Sequence, residues 1–126
     1  MRPFRVLIVD DDLILNFANC EILKGSGFDA VGVHCAAAAF EAVDKNAKLF
    51  ALVTDIDLGA GPDGFDVARR ARAVNPDLPV VFISGAAAGR HRSEGVDGSE
   101  FLGKPFRPHE IIEALRRVVR RRAVQR

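Results

Sequence analysis

Short apolar runs alternate along this chain with segments whose apolar residues recur at helical spacing. The runs, rich in β-branched residues, lie at Val6 to Val9, around Ala30 to Val33, at Phe50 to Thr54 and at Val80 to Ser84, with a shorter one at Glu100 to Leu102. Between them fall Leu15, Ala18 and Ile22; Ala36, Phe40 and Val43; Val67, Ala68 and Ala71; and Ile111, Ile112, Leu115, Val118 and Val119. Strand followed by helix, repeated, with strands apolar on both faces, predicts an α/β fold: a parallel sheet covered by helices on both sides through right-handed crossovers. No internal repeat or linker interrupts the pattern.

Turn residues agree with it. Gly25 and Gly27 end the first helix, Asn75 and Pro76 end the third, and Pro108 suits the first turn of the last. The stretch from Ala86 to Ser99, AAAGRHRSEGVDGS, has three glycines and no helical period. It predicts a short or irregular fourth helix.

Composition narrows the class. A chain of 126 residues suits one domain, residues 1–126 with a core at about 4–122 and a basic tail at 120–126, and is too short for a separate output or catalytic domain. Hydrophobic residues at 48% and charged residues at 28% give a globular balance, and a formal charge of +1 gives no overall bias toward nucleic acid or membrane. Cys20 and Cys35 lack metal-binding spacing and read as reduced, buried thiols. MRPFRVLIVDDD is not a signal peptide and no stretch reaches transmembrane length, so the expected location is cytoplasmic.

The candidate chemistry lies in acids at strand ends. Asp10, Asp11 and Asp12 follow the first strand, and Asp55 follows the third. In the common strand order 2-1-3-4-5, strands one and three flank the point where the order reverses, and ligands bind there. Carboxylates about 4 Å apart repel by about 4 kcal/mol at an effective dielectric near 20, so the cluster calls for a counter-charge. An all-oxygen donor set favours Mg²⁺ over zinc. Asp12 reads better as the N-cap of the first helix. Ser84 ends the fourth strand and Lys104 follows the fifth, so a hydroxyl and an ammonium reach the same edge and could bind the oxygens of a phosphoryl group attacked by a carboxylate.

With these residues in place, the chain resembles the receiver domain of two-component response regulators from Phe4 to about Arg122. Asp10 and Asp11 in VLIVDDD match the family's acidic pair, Asp55 in LVTDIDLG its phosphoacceptor, and Ser84 in VVFISG and Lys104 in GKPF its hydroxyl and lysine. The resemblance implies a flavodoxin-like, doubly wound sheet of order 2-1-3-4-5. It implies Mg²⁺ held by the carboxylates of Asp11 and Asp55, the backbone carbonyl of Asp57 and, mainly through water, Asp10. A cis Lys104–Pro105 bond is also implied. So is transfer from a phosphohistidine on a sensor histidine kinase or histidine phosphotransfer protein to Asp55, then slow hydrolysis, with Ser84 and Phe101 as switch residues signalling to a downstream protein. Such a chain is not an enzyme acting on other substrates; it catalyses only its own phosphorylation and dephosphorylation. The loop DLGAGPDG departs from the family pattern: it lacks the early proline and is one residue longer, though Gly64 is kept. Phe101 stands where the family often has Tyr and cannot donate a hydroxyl hydrogen bond.

Other readings fit less well. LVTDIDLG is similar to the DxD motif of haloacid dehalogenase-type phosphatases, but there the acidic pair comes last in chain order, and here it comes first. DIDLGAGPDGFD fails as a calcium loop at Gly59, Ala60 and Asp66. Arg116, Arg117, Arg120, Arg121, Arg122 and Arg126 lie opposite or beyond the last helix's apolar stripe. They read as a solvated face suited to the helix dipole rather than as a nucleic-acid surface. A phosphate sink or adaptor within a phosphorelay is the alternative role.

Overall fold

The computed structural model describes residues 4–46, 48–85 and 88–125. Arg126 of the expected basic tail and Ala86 and Ala87 of the expected irregular segment lie outside the described residues. Five strands, β1 (Arg5–Val9), β2 (Asp29–Val33), β3 (Ala51–Asp55), β4 (Val80–Ser84) and β5 (Glu100–Gly103), alternate with helices α1 (Leu13–Gly25), α2 (Ala36–Lys45), α3 (Gly64–Val74), α4 (Ala88–Glu94) and α5 (Pro108–Gln125). All strand pairs are parallel, in the expected order β2-β1-β3-β4-β5.

Every residue of β3 and β4 is buried, which explains their unbroken apolar runs. One face of the sheet packs Leu7, Leu52 and Phe82 against α2 and α3, where Phe65 and Phe82 meet at 4.9 Å between centroids. The other packs Ile8, Val53 and Ile83 against α1 and α5 through Leu23, Ile111 and Leu115. Each such fully buried side chain contributes about 2 kcal/mol of transfer free energy.

Three expectations need correction. The expected α1 stripe of Leu15, Ala18 and Ile22 is not the buried face: Asn16, Asn19, Cys20 and Leu23 are, while Ala18 is exposed. The helix is turned by a polar contact, since the Asn16 amide donates to the carbonyls of Asp10 (3.2 Å) and Val33 (2.8 Å). Its opening turn therefore exposes Leu13, Ile14 and Phe17, by 61%, 83% and 69%. Both cysteines are free as expected, but only Cys20 is buried; Cys35 is exposed at the N-cap position of α2.

The arginines of α5 are not all solvated. Arg122 is buried and donates to the carbonyls of Pro76 (2.8 Å) and Asp97 (3.1 Å), while Arg117 and Arg121 both engage Glu100. Their long stems reach back over the sheet and the charged heads meet acceptors there. As expected, α4 is short: seven residues, none buried. It is held by His91, whose ring packs on Phe82 and Phe101, and by Arg90, which lies 5.1 Å over Phe65 and pairs with Asp63.

Candidate metal centre at the ends of β1 and β3

Adjacent parallel strands β1 and β3 release their acids at the same edge. One carboxylate oxygen from each of Asp10, Asp11 and Asp55 lies within 4.8 Å of the others. Asp10 and Asp55 are buried, and Asp11 faces solvent. Asp12 is drawn out of the cluster to cap α1, accepting from the Leu15 amide at 3.0 Å. Asp10 Oδ1 accepts from the Asp12 amide at 2.9 Å, whereas its buried Oδ2 has no partner among the described residues.

Lys104 supplies one counter-charge. Its Nζ lies 3.1 Å from Asp55 Oδ2, and the Lys104–Pro105 bond is cis. The Lys104 amide donates to the carbonyl of Ser84 at 3.0 Å, which ties the lysine's backbone to the end of β4, where Ser84 is buried. Burial pushes the Asp55 carboxyl up to about 6, against the opposing pull of Lys104, and raises Asp10 as well. For Lys104, burial alone would lower the ammonium, but Asp55, Asp10 and Asp11 outweigh it and raise it. Three carboxylates against one ammonium, all hard oxygen donors, with a buried oxygen unsatisfied, fit a divalent hard cation such as Mg²⁺.

The loop after Asp55 is fixed at both ends. Leu58 is buried, Gly59 and Gly61 turn the chain at φ of 88° and 91°, and a reciprocal capping box between Asp63 and Asp66 starts α3. The Gly64 amide donates to the carbonyl of Ile56 at 2.7 Å, and a Cβ on Gly64 would strike the carbonyl oxygen of Asp55. Position 64 thus has no room for a side chain, because α3 begins directly against the Asp55 backbone. Asp57 sits in this loop with an exposed side chain. Phe101, on edge strand β5, lies away from the acids and half-buried, 5.5 Å from His91.

Sequence reasoning missed the residues that brace the acids through their backbone. Asn16 holds the Asp10 carbonyl, and the Thr54 hydroxyl donates to that of Asp55 at 2.9 Å. Asn16, Asn19, Cys20 and Leu23 have helical spacing, but a search for apolar residues alone passes over a face that is half polar.

Comparison with known proteins identifies the family and the fold. The family model described as the response regulator receiver domain matches residues 6–116. Response regulator MprA of Mycobacterium sp. (strain KMS) is 32% identical over 124 residues, covering 94% of this chain and 52% of that protein. This chain spans about half the length of the curated relatives it matches. The crystal structure of a response regulator receiver protein from Sinorhizobium medicae WSM419 superimposes with a TM-score of 0.89 at 37% identity, covering 94% of this chain and 95% of that one. A receiver domain protein from Clostridium thermocellum shares the fold, with a TM-score of 0.85 at 16% identity, covering 97% and 98% of the two chains. The chain belongs to the response regulator receiver domain family of two-component signal transduction. No helix among the described residues is long and apolar enough to cross a membrane.

Proposed function

We propose that Asp55 accepts a phosphoryl group from a phosphohistidine of a sensor histidine kinase or histidine phosphotransfer protein. The observation that carries this reading is the juxtaposition of a buried carboxylate, Asp55, with Lys104 at 3.1 Å and with Asp10 and Asp11. In transfer, a carboxylate oxygen of Asp55 attacks phosphorus, the bond from phosphorus to the histidine nitrogen breaks, and an acyl phosphate forms. Lys104 then faces a phosphoryl oxygen instead of a carboxylate, and the Ser84 hydroxyl is the donor for another. Asp11, Asp55 and the Asp57 carbonyl would hold Mg²⁺, with Asp10 acting mainly through water. The cation would neutralise charge on the phosphoryl oxygens during transfer and during the later hydrolysis.

The donor's surface must cover the rim beside Asp55, and the exposed apolar triplet Leu13, Ile14 and Phe17 starts one residue past the capping Asp12. We assign donor docking to this turn of α1. Phosphorylation would move Ser84 toward the new group and repack Phe101, altering the surface of β5, α4 and α5 for a downstream protein partner in the cytoplasm. The core of this receiver runs over about residues 4–122.

Mass spectrometry after incubation with Mg²⁺ and a small-molecule phosphodonor tests the chemistry. The expected result is a base-labile gain of one phosphoryl group, absent in Asp55→Asn and in a chelated sample. Folded protein that takes no phosphoryl group from small donors or from phosphohistidine donors would make it a receiver-like binding module instead.

A further inference from the structure

At the end of the sheet opposite the acids, Phe4, Phe28 and Phe50 each stand just before a strand. Their rings form one cluster, with centroids 4.6 Å apart for Phe4 and Phe50 and 6.0 Å for Phe28 and Phe50. The cluster is only partly covered by the described residues: Phe28 and Phe50 are half-buried, and Phe4 is 55% exposed. Together with Val119 of α5, the three rings line an open cavity of about 480 Å³, and Arg116 and Arg120 stand in its wall. That volume is in the range that holds small organic ligands.

Charge separates these two arginines from their neighbours. Arg117 and Arg121 engage Glu100, and Arg122 is tied to backbone carbonyls. The side chains of Arg116 and Arg120 have no hydrogen bond or ion pair among the described residues. They are four positions apart on one face of a helix, where like charges repel, and an anion between them relieves that repulsion. Guanidinium groups also present paired N–H donors that match a carboxylate or phosphate.

We propose that this cavity binds a small amphipathic organic anion, with its apolar body on the phenylalanines and its acid group on Arg116 and Arg120. Rings alone would take a neutral hydrocarbon, and arginines alone any inorganic anion; their juxtaposition selects a molecule that is both.

The test is an NMR titration of the full chain, following phenylalanine ring and arginine side-chain resonances. The ligands are naphthoate, its uncharged shape match naphthamide, and inorganic phosphate. Naphthoate is expected to saturate a single site and shift Phe4, Phe28 and Phe50, with naphthamide about tenfold weaker. The doubly substituted R116Q/R120Q protein should lose that preference and still bind naphthamide, since both side chains are exposed and unpaired among the described residues. Absence of saturation by naphthoate, equal binding of acid and amide, affinity unchanged by the double substitution, or phosphate binding as tightly as naphthoate would each overturn the assignment.

Discussion

Asn16 and Asp10 are joined through the backbone: the buried Asn16 amide donates to the Asp10 carbonyl at 3.2 Å while also holding Val33 of the neighbouring strand at 2.8 Å. The Asp10 carboxylate is thus aimed from beneath by a residue that never faces the acids. Asn16→Leu leaves both carbonyls without this donor, for a loss of about 1–3 kcal/mol in denaturant unfolding. Freed positioning should also weaken Mg²⁺ binding about tenfold, the scale on which outer-shell partners act. Titration of Mg²⁺ against the rate of phosphorylation, under conditions where circular dichroism shows the variant fully folded without metal, separates this effect from lost stability, which Mg²⁺ binding would itself offset.

Burial raises Asp55 from the ordinary 3.8 to about 6 in the metal-free protein. Between those values the folded chain keeps a proton that the unfolded chain has released. Stability is therefore greater at the acid side of this window and falls as pH rises through about 6. Asp55→Asn removes the charge and should stabilise the metal-free protein by about 1–3 kcal/mol at neutral pH, a gain that closes as pH drops below about 4. Urea unfolding of both proteins across that range, with chelator present, checks the sign. Adding Mg²⁺ at neutral pH should stabilise the parent protein and not the variant.

Gly64→Ala puts a methyl group on the Asp55 carbonyl oxygen, where both atoms belong to the backbone frame and neither can swing aside. The expected cost is about 3 kcal/mol. Phosphorylation should slow as well, since the residue displaced is the nucleophile's own. Thermal unfolding and the small-donor assay give the two readings.

Ile14→Glu and Phe17→Glu place charge on the exposed turn of α1 without touching the acids. Transfer from a phosphohistidine protein should slow about tenfold or more, in the range of interface anchors, while labelling by a small phosphodonor stays unchanged. Equal slowing with both donors would mean that these residues act on the site and not on docking.

The fold was legible because its signal is redundant. Runs such as VLIV and VVFIS admit few placements other than buried parallel strands, and the acids at their ends mark the edge where a site can form. The face of α1 was not legible for the opposite reason. Its rotation is set by one amide meeting two strand-end carbonyls, a contact with no periodic trace in the chain. Arg122 misled similarly: a charged residue near a helix end reads as solvated, and only the packed structure brings the carbonyls of Pro76 and Asp97 to meet it. Cys35 is apolar by type, yet its place before α2 puts it outside either layer.

The two flanks of β5 differ in stiffness. On the α5 side, Glu100 grips Arg117 and Arg121, and Ile111, Leu115 and Val118 are buried beneath them. On the α4 side, a seven-residue helix with nothing buried rests on the His91 imidazole and the guanidinium groups of Arg90 and Arg69. Under the proposed switch, a displacement of Phe101 would meet a buried wall toward α5 and a thin, unburied shutter toward α4, so a message leaving this edge of the sheet would be spelled out by α4.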